Sequence, residues 1–215
     1  MIPGRPQSRR EELANSLTHG AGLTASLVGL PFLVWAASTR GDARQVIACT
    51  IFAASLVLLY GASTAYHALP VSRAKHAFRV IDHISIYLLI AGSYTPFALG
   101  VLRGGWGWSL FGVVWGLAVL GVVHKTLLGF RMPRLSTFMY LGMGWVAIVA
   151  IRPLAEALPI AGLALIFGGG LFYTGGVVLY VRDYLPYRHA IWHLFVIAGS
   201  GCHYAAVLLY ATAAR

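Results

Sequence analysis

The sequence predicts an all-α integral membrane protein, a bundle of seven transmembrane helices, and three observations carry that reading. Of the 215 residues, 59% are hydrophobic and only 10% are charged, a balance that water-soluble domains do not have. Seven apolar runs follow one another, each near the ~20 residues that a bilayer core demands, with connections of roughly a dozen residues or fewer. None of the runs alternates polar and apolar residues as a barrel strand does, and an open strand cannot satisfy its backbone in lipid, so the runs are helices.

Taken in order, residues 1–14 form a polar leader, disordered or interfacial, that holds Arg5, Arg9, Arg10, Glu11 and Glu12. A single seven-helix membrane domain then covers 15–215. Asn15-Ser-Leu-Thr-His19 offers capping residues before the first run, Gly20 to Ser38. That run is longer than a signal-peptide core and so stays in the mature protein. The others cover about 45–66, 80–100, 108–124, 136–151, 160–181 and 189–211, the fourth and fifth being short. Gly112 and Gly116 in the fourth run, and Gly168, Gly169, Gly170, Gly175 and Gly176 in the sixth, read as places where helices approach closely. Cys49 and Cys202 each lie inside an apolar run, so neither is placed for an extracellular disulfide.

The net charge of +10 falls in short loops and builds no continuous basic stripe, which argues against nucleic acid as a partner. Orientation in the bilayer accounts for it. One side of the membrane collects Arg5, Arg9, Arg10, Arg73, Lys75, Arg79, Lys125, Arg131, Arg134, Arg182 and Arg188; the other has Arg40, Arg44, Arg103, Arg152 and Arg215. The excess puts the N-terminus in the cytoplasm and, after seven crossings, the C-terminus outside.

Ionisable residues inside a membrane are costly, and four of them fall at one depth. His189 and His193 stand four residues apart at the start of the last helix, on one face. Ser63 and His67 share a face at the end of the second helix. Asp82 lies near the start of the third, three residues after Arg79. Helix parity alone brings these three motifs to the same end of the bundle. Three neutral imidazoles with an open fourth position form a zinc set of the catalytic kind. Asp82 then accepts a hydrogen bond from water on the ion and acts as general base. Ser63 has three open roles: orienting His67, polarising a substrate carbonyl, or touching the water. A lone histidine in a membrane helix more often bonds a neighbouring helix. His19 and His124 therefore carry no role here, nor do His83, which points about 100° away from Asp82, and His76, read as a loop residue. His203 lies about 15 Å along the helix axis from His193 and bonds another helix instead.

Asn15-Ser-Leu-Thr-His-Gly20, Ser63-Thr-Ala-Tyr-His67, Ile81-Asp-His-Ile-Ser-Ile-Tyr87 with Ala91-Gly-Ser-Tyr-Thr-Pro96, and His189-Ala-Ile-Trp-His-Leu-Phe195 running to His203 resemble the hemolysin III family. This is the bacterial branch of the progestin and adiponectin receptor group, in a superfamily that includes alkaline ceramidases. The resemblance covers the chain from Glu11 to Tyr210. It implies a seven-helix bundle with a cytoplasmic N-terminus in the bacterial inner membrane. It also implies a zinc ion on His67, His189 and His193, with water held between the ion and Asp82. The activity implied is hydrolysis of a lipid amide or ester, linked to membrane homeostasis, with a membrane lipid as substrate or ligand. The oligomeric state is left open. Two other readings stand beside the hydrolase. One keeps zinc as a clamp in a non-catalytic membrane sensor. The other, a pore-forming cytolysin, fits poorly with seven strongly apolar spans.

Overall fold

A computed structural model of the chain describes residues 7–181 and 185–213. Among them, seven helical stretches are long and apolar enough to cross a membrane, as the sequence predicts. The spans are α1 (Arg9–Arg40), α2 (Ala43–Ala68), α3 (Arg73–Thr95) continued by a π-helical turn (Pro96–Leu102), α4 (Gly104–Leu128), α5 (Pro133–Gly144), which joins α6 (Ile151–Ala157) through a 3₁₀ turn (Val146–Ala150), α7 (Ile160–Tyr180) and α8 (Arg188–Tyr210). The fourth and fifth spans, short in the sequence, are 25 residues each. Glycine, tryptophan and basic residues at their ends dilute the apolar signal without ending the helix.

Sequence neighbours pack as hairpins, α1 on α2, α2 on α3, α3 on α4 and α7 on α8, and α8 closes the bundle against α1. α2 and α3 are the most enclosed. Phe52, Leu56, Tyr60, Tyr87, Val114 and Ala118 fill the centre. Tyr60 Oη donates to Ser200 Oγ at 2.8 Å and Tyr173 Oη lies 2.9 Å from the same hydroxyl, which ties α2, α7 and α8 together in a medium without competing water. The break in the fifth span is satisfied from α3: Tyr94 Oη donates to the Gly144 carbonyl at 2.6 Å and accepts the Ala147 N–H at 3.0 Å. Irregular backbone at membrane depth needs such a partner.

The caps are local. Ser8 caps α1 in a capping box with Glu11. Asp42 caps α2 in another with Gln45 and pairs with Arg103 at 3.0 Å. Ser72 caps α3 through the Lys75 N–H. The first of these corrects the reading of the N-terminus. α1 begins at Arg9, so the boundary at residue 15 falls inside a helix, and Asn15 and His19 are buried on its inner face rather than serving as caps. The apolar run could not show this, because residues 9–19 are held by polar contacts and not by hydrophobicity. His76 is likewise in the first turn of α3 and not in a loop. Of the charges used for orientation, Arg5, Arg182 and Arg215 lie outside the described residues.

The glycines divide. A Cβ at Gly169 would collide with the His203 ring, and one at Gly176 would press on Phe195 and Trp192, so α7 and α8 do use small residues to approach. Gly112, Gly116 and Gly168 face open space instead. Their spacing resembles a packing motif, but it lies on the outer surface of the bundle.

Candidate metal centre

The end of α2 and the first turns of α3 and α8 meet at one end of the bundle, beside the first three turns of α1. There His67, His189 and His193 each present a ring nitrogen, and the three atoms lie within 4.8 Å of one another. His67 Nε2 and His189 Nε2 are 3.1 Å apart. Two nitrogens on one tetrahedral zinc at 2.0–2.1 Å are separated by about 3.3 Å. The third, His193 Nε2, is buried with no hydrogen-bond partner among the described residues.

Two of the imidazoles have their tautomer set by what they touch. His67 Nδ1 is 2.7 Å from Glu12 Oε2. A carboxylate can only accept, so Nδ1 carries the proton and Nε2 keeps its lone pair. Lys75 Nζ holds the other oxygen of Glu12 at 3.1 Å and donates to the Tyr66 and Leu69 carbonyls. His193 Nδ1 is 3.2 Å from the Asn15 carbonyl oxygen and 3.1 Å from Thr18 Oγ1, whose own proton goes to the Ala14 carbonyl. Again Nδ1 donates and Nε2 is free to bind. Two nitrogens, each prepared by a second hydrogen bond on the same ring, fit a metal ion better than three histidines that merely bond one another, so the donor set suits a metal.

Asp82 is 6% exposed and lies on the wall of a cavity of about 130 Å³ between α3, α5, α7 and α8. That wall is otherwise mostly apolar: Leu59, Ile86, Phe97, Trp145, Phe167 and Val196 are on it, with His203 farther along. His83 Nδ1 lies 3.4 Å from the Asp82 Oδ2. The helical offset of 100° did not anticipate that contact. The His83 proton itself is better placed for the Arg79 carbonyl, at 2.8 Å. Ser63 is fully buried one turn before His67, and its Oγ has no partner among the described residues. It is not part of the cavity wall. His203 Nε2 donates away from the site, to the Ile166 carbonyl of α7 at 3.1 Å, as expected for helix glue.

Glu12, Asn15 and His19 are the site residues that reading the sequence missed. His19 stacks on His193, centroids 3.4 Å apart and planes 14° apart, and reaches the same cavity as Asp82. Both its ring nitrogens are buried without a hydrogen bond among the described residues. The signal was present: Glu11, Asn15, His19, Gly22 and Ser26 repeat at helical spacing, all buried. A second, much smaller cleft, lined by Gln7, Glu11, Asn15, Tyr187, Arg188 and His189, reaches the imidazoles from the end of the bundle.

The family described as "Haemolysin-III related" matches residues 7–204. The chain is 44% identical over 201 residues to the "Hemolysin-3 homolog" of Bacillus subtilis (strain 168), covering 94% of both chains. It is 43% identical to "Hemolysin-3" of Bacillus cereus, over 94% of this chain and 92% of that one. It is also 30% identical over 210 residues to the "Monocyte to macrophage differentiation factor" of Homo sapiens, covering 93% of this chain and 84% of the relative.

Proposed function

The chain belongs to the Haemolysin-III-related family of multi-pass membrane proteins, and from that premise we propose that it is a zinc-dependent hydrolase acting on an amide or ester of a membrane lipid. The observation that carries the reading is the convergence of His67, His189 and His193, two of them held in the binding tautomer by Glu12 and by the Asn15 carbonyl. A zinc ion held by these three imidazoles would supply Lewis acidity and make a water nucleophile accessible near neutral pH. The protein supplies the rest. Glu12, anchored by Lys75, and Asn15 orient imidazoles. Asp82, in an apolar cavity, takes a proton at its carboxylate and passes it to the leaving group. Ser63, buried off the cavity wall one turn before His67, acts through that imidazole and not on the substrate, and the cavity excludes water and accommodates apolar chain.

Elemental analysis of protein purified in detergent without chelators tests the metal. About one zinc per chain is expected, because three histidines and one further ligand complete a tetrahedron. A metal content near zero would leave the histidines as links between helices.

One observation favours a second reading. The three histidines join only α2 and α8, which suits a zinc clamp in a protein that senses membrane state without turnover. In either case the basic residues orient the chain with its N-terminus in the cytoplasm of a bacterial inner membrane. A reporter placed in the loop from Lys125 to Arg134 is expected to read cytoplasmic, and one fused after α8 to read external. The reverse pattern would move the site to the other leaflet.

A further inference from the structure

At the same end of the bundle, on the far side of α3, a second cluster has no place in the hydrolase or the clamp. Gly129, with φ of +57°, ends α4 and turns the chain so that the Phe130 ring folds back over two cations. Arg79 Cζ of α3 lies 3.9 Å from the ring centroid and Lys125 Nζ of α4 lies 4.7 Å from it, so the two charges are within about 9 Å of each other. The His83 ring stands edge-on to the same phenyl at 4.9 Å. Lys125 is 1% exposed. Among the described residues no carboxylate pairs with Arg79 or Lys125; Asp82, the acid nearest in sequence, lies 3.4 Å from His83 Nδ1 instead. Arg79 Nε is buried without a hydrogen-bond partner among the described residues.

Magnitudes show that the cluster is incomplete. A cation–π contact contributes about 0.5–2 kcal/mol, whereas withdrawing one ion from water costs several kcal/mol even after relaxation. Phe130 therefore cannot by itself offset the burial of the Lys125 charge beside a half-buried Arg79 whose Nε is shut off from water. An anion can, and the chemistry selects its kind. A guanidinium fork beside an ammonium suits the oxygens of a phosphate, and at the end of membrane helices phosphates belong to the headgroup layer. Arg131 on the same connection and Arg134 in the first turn of α5, both exposed, add positive field.

We propose that Arg79 and Lys125, closed over by Phe130, bind the phosphate of an anionic phospholipid headgroup. The site is separate from the three histidines, and its test involves neither metal nor turnover. The full chain is placed in nanodiscs of phosphatidylcholine, with and without phosphatidylglycerol, and its thermal midpoint is read. Phosphatidylglycerol raises the midpoint of the unaltered protein by about 2–4 °C. The double variant Arg79→Gln, Lys125→Met loses that rise, yet in phosphatidylcholine alone it melts no lower than the unaltered protein, because unpaired buried charge has been removed. Arg79→Lys with Lys125→Arg keeps the rise, and so does Arg131→Gln with Arg134→Gln, which alters only exposed charge. An undiminished rise in the neutral double variant, or no rise in the unaltered protein, overturns the site. A full rise from millimolar inorganic phosphate in phosphatidylcholine alone overturns the lipid and assigns the site to a soluble phosphate compound.

Discussion

Asp82→Asn is expected to keep its zinc and its assembled bundle while lipid turnover falls by about 10²–10⁴-fold, the range general acid–base catalysis contributes. The amide matches the carboxylate in shape, so the cavity wall and the neighbouring His83 contact are disturbed little. What it cannot do is take up a proton. His193→Ala is the companion. It deletes one of three nitrogens and leaves the Asn15 carbonyl and Thr18 hydroxyl without the donor they face, so zinc and function are lost together. Zinc content, thermal midpoint and turnover of lipid extracts, followed by mass spectrometry, are read on both variants. A zinc-replete Asp82→Asn protein with undiminished function would remove the hydrolase and leave the clamp. In the clamp, Asp82 is only a hydrogen-bond partner and His193 alone matters.

The second large effect is on stability. Gly107→Ala is expected to destabilise the bundle by about 1–3 kcal/mol, the cost of overpacking a filled site, seen as a lower thermal midpoint in detergent. The new Cβ would land on the Ala98 carbonyl oxygen, which accepts the Arg103 N–H at 3.1 Å where the π-helical turn meets α4. Backbone cannot swing aside as a side chain can. Gly112→Ala, five residues along the same helix, meets nothing within 4 Å and should be neutral or stabilising by up to about 1 kcal/mol through helix propensity. Equal effects at the two positions would mean that the close approach of α4 to the turn at Ala98 does not hold.

The fold was legible because lipid enforces it: every span must be apolar and helical, and seven runs can be counted. The convergence of the three histidines was legible for the complementary reason, since polar groups inside those runs are rare and helix parity sets their depth. The reasoning failed where hydrophobicity stopped reporting. α1 starts eleven residues before its apolar run because Glu11, Asn15 and His19 are buried in contact with the site itself, so their polarity reads as a leader. Glu12 went unseen for the same reason, although it is the residue that fixes the His67 tautomer. Gly112 and Gly116 failed in the other direction. Their spacing fits a packed interface, and only the three-dimensional arrangement shows which face of α4 meets a neighbour. The His83–Asp82 contact needed side-chain reach, which a helical wheel does not contain.

The narrow cleft at His189, lined by Gln7, Glu11, Asn15 and Arg188, shares no lining residue with the apolar cavity. A cation that reaches the imidazoles by this cleft comes through the ionic layer at the membrane surface, not directly from bulk water. At a leaflet held near −30 mV a divalent ion is concentrated about tenfold over the bulk. Metal occupancy at a fixed bulk concentration then follows the charge of the surrounding leaflet, and an apparent dissociation constant measured in neutral detergent describes only half of the system that loads the site.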